Sequence, residues 1–234
     1  MEPRTRAAAQ RPVEAVEEVR FSILVHGQPP AALTASPCDA ADLAAGHLFA
    51  RGYPADDLRS ATYAVDGRTV RVELSDGAAE AGACLRTHLH AHGVGHVLDC
   101  AGCAALLRRG RVAPPDDETL RDLMAGIFGG AAGVHAAALA RAGRIALRVE
   151  DVGRHSAVDR LVGAALRRGW DGSELGLATT ARVSGEMAFK AARAGCAWIA
   201  SRSVPTTLAV DIAGLVGLPI VARAGSTRAR TFGP

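Results

Sequence analysis

From residue 145 onward the chain alternates short apolar runs with stretches that repeat apolar residues at helical spacing, and this alternation constrains the fold more than any other feature. The runs fall at 145–149, 175–179, 197–200 and 219–222. Between the first two, Val158, Leu161, Val162, Ala165 and Leu166 share one helix face, and 184–194 and 205–216 read as two further helices. Strands separated by single helices predict an α/β domain: a mainly parallel sheet covered on both faces, three layers in all. Upstream, Leu120, Leu123, Met124, Ile127 and Phe128 mark another helix, which opens at Asp116 and Asp117 and ends at Gly129 and Gly130. A helix is also expected over 133–142.

The first third has a different grain. An apolar strand at 19–25 turns through His26, Gly27 and Pro29 into a second extended piece at 31–35. Pro37, Cys38 and Asp39 introduce a helix at 40–51, stopped by Gly52, on which Leu43, His47 and Leu48 share a face; His47 there reads as a packed residue. Alternating runs at 61–65 and 69–74 flank Asp66-Gly67, a strong hairpin signal. The expected organisation is an Ala/Arg/Pro-rich mobile tail at 1–14, an N-terminal α+β module at 15–92, a mobile loop at 93–111 and an α/β ligand-binding domain at 112–234.

With 27 basic and 24 acidic residues the charge is too balanced to argue for a nucleic-acid partner, although a local basic pocket is compatible with it. No apolar run has membrane-spanning length, and residues 1–20 carry no signal-peptide core, which predicts a soluble cytoplasmic protein. Cys38, Cys84, Cys100, Cys103 and Cys196 have unmatched spacings and suit a reducing compartment. In an arginine-rich composition Lys190 is the only lysine. Either a compact ammonium is needed there, or the residue is a chance survivor on a helix surface.

The loop at 93–111 holds Asp99-Cys100-Ala101-Gly102-Cys103, followed by Arg108, Arg109 and Arg111. Guanidinium groups beside a Cys-x-x-Cys pair could lower a thiol pKa, so sulfur chemistry is one reading. Two buried cysteines, or half of a zinc site completed by His88, His90, His92 or His96, are the others. In open α/β sheets the ligand crevice lies beyond the carboxyl ends of the strands. Three polar clusters fall there, at 150–155, 179–184 and 201–206, and helix starts at Ser184 and Pro205 would aim N–H groups at a phosphate.

Glu150-Asp151-Val152-Gly153-Arg154-His155, followed by Ala157-Val158-Asp159, resembles the signature of the formate dehydrogenase accessory sulfurtransferase family, often called FdhD. The order of the remaining segments is similar too: 37–52, Cys100 to Cys103, His135-Ala136-Ala137-Ala138-Leu139, Arg182-Val183-Ser184 with Glu186-Met187 and Lys190, Pro205-Thr206, and the closing Arg/Gly segment. Departures fall at Ala131, Ala132, Ser156, Ala181 and Gly225, and at Ala101 and Ala104, where glycines usually follow the cysteines.

The resemblance implies a sulfurtransferase with a main domain similar to the cytidine deaminase fold, although the deaminase zinc signature is missing. Sulfur would pass from a cysteine desulfurase to a persulfide on Cys100, with Cys103 as helper or relay. From there it would reach the molybdenum cofactor, a bis(molybdopterin guanine dinucleotide) bound as substrate, ahead of delivery to the formate dehydrogenase catalytic subunit. The resemblance places cofactor binding on His135, Asp151, Gly153, Arg154, His155, Arg182, Ser184, Lys190, Pro205, Thr206, Arg223, Ala224, Gly225, Ser226, Thr227 and Arg228, and implies a homodimer. The rival expectations are a zinc-binding protein and a chaperone that holds the cofactor without transferring sulfur.

Overall fold

A computed structural model describes residues 15–75, 93–108, 112–127 and 132–233. The tail at 1–14, Cys84, His88, His90, His92, Arg109, Gly110, Arg111, Phe128, Gly129, Gly130 and Ala131 lie outside the described residues.

The first module is a four-stranded sheet and the helices packed on it. In β1 (Val19–Val25) the alternation buries Val19, Phe21, Ile23 and Val25 on one face. It pairs antiparallel with β2 (Ala31–Ala35), the expected hairpin. Helix α1 (Ala40–Ala50) starts where the Asp39 carboxylate accepts the Ala41 and Asp42 N–H groups. Every α1 residue except Asp42 is buried, and the short α2 (Ala55–Ser60) follows. β3 (Thr62–Asp66) and β4 (Thr69–Glu73) form the second expected hairpin, with Asp66 opposite Thr69 across a left-handed Gly67. A parallel pairing of β4 with β1 closes the order β2-β1-β4-β3.

The Cys-x-x-Cys segment is helical. A 3-10 turn at Val94–Leu98 leads into α3 (Ala101–Ala104), with Val97, Cys103 and Leu107 buried as anchors.

The second module is built on a six-stranded sheet. Its elements are α4 (Asp117–Ile127), β5 (His135–Arg141), β6 (Arg144–Asp151), α5 (Arg154–Arg167), β7 (Leu175–Thr179), α6 (Gly185–Arg193), β8 (Trp198–Ser201), α7 (Thr207–Val216), β9 (Ile220–Ala222) and β10 (Arg230–Phe232). Two expectations are corrected here. Residues 135–141 form a strand, not a helix. Ala142 and Gly143 both take left-handed φ values of 49° and 73°, a tight hairpin turn that pairs Arg141 with Arg144. Once β5 is bracketed by β6 and β7, its alanines fill both sheet faces, and this packing overrides their helical preference.

The sheet is also mixed, not mainly parallel. Its order is β10-β9-β8-β7-β5-β6, and only β7–β8 and β8–β9 run parallel. Helices do cover both faces. Leu120, Leu123, Met124 and Ile127 of α4 pack against Ala138, Ala140, Ala178 and Trp198. On the other face α5, α6 and α7 cover Leu139, Leu177, Ile199 and Ile220.

The two modules meet where α1 crosses α5 at backbone contact. A Cβ on Gly46 would lie 1.8 Å from the Asp159 carbonyl oxygen, and one on Gly163 would lie 1.9 Å from that of Asp42. The 3-10 turn at Val94–Leu98 in turn packs on α6 and α7. No described helix is long and apolar enough to cross a membrane.

Candidate functional site

Strand register brings the predicted polar clusters to one edge of the six-stranded sheet. His135 pairs with Asp151, Ala137 with Thr179, Thr179 with Ser201 and Ser201 with Ala222. The start of β5 and the carboxyl ends of β6 to β9 therefore lie together. The loops beyond them are cross-linked: Thr206 N–H donates to Val183 O at 2.9 Å, Ser201 Oγ to Ala181 O at 2.7 Å, and Arg223 N–H to Ser203 O at 2.9 Å. Arg223 is held at a left-handed φ of 51° and Gly225 at 78°, a conformation costly for arginine that its surroundings must impose. The turn continues with the Ser226 hydroxyl donating to Arg223 O and accepting the Arg228 N–H. Ala224 is buried, while Arg182, Arg223, Thr227 and Arg228 are exposed along this edge.

The candidate residues divide by what already occupies them. The Asp151 carboxylate is fully buried; Oδ1 accepts Ser36 N–H and Gly153 N–H, and Oδ2 takes Arg160 Nη1 at 3.0 Å. It thus ties β6 to the first module. Thr206 caps α7 through Ala209 N–H, and Pro205 bridges to Val183. By contrast, Arg154 Nε and Ser184 Oγ are buried without a hydrogen-bond partner. Arg154 opens α5 directly after its N-cap Gly153, and Ser184 is the N-cap of α6. Orphaned buried polar atoms at two helix starts, with exposed guanidinium groups alongside, fit an anionic polar ligand such as a nucleotide phosphate.

Lys190 lies beneath this edge, not on a helix surface. Its Nζ contacts Asp159 Oδ1 at 2.7 Å and Glu186 Oε1 at 3.2 Å. Asp159 Oδ2 faces His47 Nδ1 at 3.7 Å, and Glu186 Oε2 faces His155 Nδ1 at 3.5 Å. Burial would raise the Asp159 carboxyl, but Lys190 and His47 outweigh it and hold the group below its usual range. Burial pushes His155 down, towards the neutral imidazole. His47 is packed as expected. Sequence reading did not assign roles to Asp159 and Glu186; the i, i+4 spacing of Glu186 and Lys190 was the available signal.

The cysteines are sharply distinguished. Burial pushes Cys38 up to about 11 and Cys196 up to about 12. Cys100, half-exposed at the start of α3, is lowered by the Cys103 N–H, then the Cys103 thiol, and also by the Gly102 N–H. Amides of the first turn and the Cys103 thiol perform this activation among the described residues; the guanidiniums of Arg109 and Arg111, expected to share in it, lie outside them. Cys103 itself is buried. Among the described residues no cluster of three or more His, Cys, Asp and Glu could hold a metal ion, while His88, His90 and His92 lie outside them.

The model of the FdhD/NarQ family matches residues 16–233. A sulfur carrier protein FdhD of Streptomyces avermitilis is 33% identical, over 93% of this chain and 86% of the relative. One from Agrobacterium fabrum is also 33% identical over the same shares. A crystal structure described as that of a formate dehydrogenase accessory protein from Desulfotalea psychrophila superposes with a TM-score of 0.73 at 23% identity, covering 93% of this chain and 87% of that one, which shows the shared fold. The expected family is thereby met across both modules and the Cys-x-x-Cys segment between them: the chain belongs to the FdhD/NarQ family.

Proposed function

We propose that this protein is a sulfurtransferase that accepts the terminal sulfur of a cysteine desulfurase persulfide on Cys100 and delivers it to a bis(molybdopterin guanine dinucleotide) molybdenum cofactor destined for formate dehydrogenase. The observation that carries the reading is the contrast among thiols: Cys100 alone of Cys38, Cys100 and Cys196 is both accessible and shifted towards thiolate. In the loading step the Cys100 thiolate attacks the terminal sulfur of the donor persulfide. The S–S bond of the donor breaks, its cysteine leaves as thiolate, and Cys100 becomes the persulfide.

Cys103, whose thiol already points at Cys100, supplies a balanced way to release that sulfur. Attack of the Cys103 thiolate on Cys100 Sγ forms a Cys100–Cys103 disulfide and expels the terminal sulfur as sulfide, so the two thiols are oxidised as the sulfane sulfur is reduced. Residues of the polar edge would hold the cargo: Arg154, Ser184, Arg182, Arg223 and Arg228 towards phosphates, with His135, Gly153 and His155 lining the same end of the sheet. Lys190 acts from beneath by fixing Glu186, and through it His155. The family's likeness to the cytidine deaminase fold would make this edge a nucleotide pocket put to a new use.

The test is the mass gained by the intact protein on incubation with a cysteine desulfurase and cysteine. An added sulfur, removed by thiol reductant and missing in Cys100→Ala, supports transfer; equal gain in that variant refutes it. A chaperone that only holds the cofactor would support formate dehydrogenase maturation with Cys100→Ala and fail with Arg154→Ala.

A further inference from the structure

A cleft of about 660 Å³ opens at the opposite end of the sheet strands from the polar edge. Its walls come from the end of α1, the end of α5 with Trp170, the turn before β7 with Ser173, the end of α6 with Arg193, and Leu106 and Arg108 just beyond α3. The geometry points to this cleft as the docking site of the sulfur-donor protein, taking a short segment in which a carboxylate stands next to an apolar side chain. The inference rests on the reading of Cys100 as sulfur acceptor.

Three observations support it. First, the cleft holds cationic charge that no described residue neutralises. Arg193 is 6% exposed, stacks 4.5 Å from the Phe49 ring and donates to the carbonyls of Phe49 and Tyr53, yet it has no carboxylate partner among the described residues. Arg108 likewise has no ion-pair partner among them. Burial of Arg193, and after it the charge of the nearby exposed Arg108, lower the Arg193 pKa to about 10. The carboxylates at the rim are engaged: Asp56 binds Arg59, and Asp171 accepts the Ser173 N–H.

Second, Ser173 is 8% exposed and its Oγ is buried without a partner. An unpartnered hydroxyl in the same cleft lining as Arg108 and Arg193 suits a carboxylate. Third, the site is half apolar. Phe49 and Trp170 line it, and Leu106 is 39% exposed beside it. A small inorganic anion would use the cations and leave these surfaces wet, whereas a peptide segment with an acidic and an apolar residue uses both. Placement selects the partner. Leu106 and Arg108 follow directly from the turn that carries Cys100 and Cys103, so a protein seated here brings its own cysteine to that turn.

The test uses the Cys100→Ala chain, which cannot accept sulfur, and titrates it with a cysteine desulfurase. Adding Arg108→Glu, an exposed substitution checked by thermal melt, is expected to weaken binding by about tenfold or more, with the loss shrinking at high salt. In parallel, loading of Cys100 from glutathione persulfide should be unchanged by Arg108→Glu. Undiminished desulfurase affinity in the Arg108→Glu chain overturns the proposal. Equal loss of loading from both donors also overturns it, because Arg108 would then act on the thiol. Phosphate binding lost in Arg108→Glu with desulfurase affinity intact reassigns the cleft to a small anion. If the parent chain takes up no sulfur from either donor, the carrier reading fails on its own, and the binding comparison still decides the docking site.

Discussion

Lys190 Nζ lies 2.7 Å from Asp159 Oδ1, with both side chains 3% exposed. This pair joins α6 to α5, and through His47 it reaches α1, so one buried ammonium links the module of the first sheet to the edge that carries His155 and Ser184. An arginine there would have to place a larger planar group in the same enclosed space, which explains why lysine persists in a chain otherwise without it.

Removing the ammonium leaves an uncompensated buried carboxylate. Lys190→Met should cost about 3–5 kcal/mol in urea unfolding, while Lys190→Met with Asp159→Leu should recover much of it. The pH dependence has a definite sign. The Asp159 carboxyl is held below its ordinary 3.8 in the folded state, so its contribution is present above that value and lost as pH falls through the folded-state pKa. Acid unfolding of the double variant should lack that component.

Backbone contact between α1 and α5 makes Gly46 and Gly163 intolerant of any side chain. Gly46→Ala or Gly163→Ala must separate the helices, because the obstructing atoms are the carbonyls of Asp159 and Asp42. Each should destabilise by at least about 3 kcal/mol. Gly214→Ala is the control: it sits on the solvent-facing side of α7 with nothing within 4 Å of the added Cβ, and should stabilise by about 0.5–1 kcal/mol.

How far the chain could be read beforehand depended on whether a segment's neighbours were close in sequence. The β1–β2 and β3–β4 hairpins and the stripe of α5 were legible because their partners or patterns are local. The strand at 135–141 was not, since a strand buried on both faces and built from alanines has neither alternation nor β-branched residues to show, and its Ala142-Gly143 turn lacks the usual Asn or Asp. The polar edge was foreseeable from strand ends. The network around Asp159, the orphan atoms of Arg154 and Ser184, and the Ser173–Arg193 cleft exist only once distant helices have packed.

The orphan atoms at the polar edge give a binding prediction separable from stability. Arg154→Ala and Ser184→Ala remove groups with no protein partner at Nε and Oγ, so thermal melts should barely move. Affinity for guanosine diphosphate, measured by calorimetry as a surrogate for half of the cofactor, should fall by about tenfold for Arg154→Ala. Unchanged affinity in both variants would remove the nucleotide from this edge.

Thiol activation by the first turn of α3 is readable from alkylation. The rate of modification at Cys100 should rise with pH about a midpoint below the ordinary 9.0, whereas Cys196, pushed up to about 12, stays inert in the folded protein. Cys103→Ala keeps the amide and removes the thiol donor, so its midpoint should lie between that of the parent and 9.0. A parent midpoint at or above 9.0 would contradict the activation described for Cys100.

Whether Cys100 carries sulfur is decided by the intact mass of the protein after incubation with a cysteine desulfurase and cysteine. One or more added sulfur atoms are expected on the parent chain, reversed by dithiothreitol, mapped to the peptide containing Cys100 and absent from Cys100→Ala. Sulfur retained in Cys100→Ala, or a parent chain that gains none while the desulfurase remains active on cysteine, would contradict that role of Cys100.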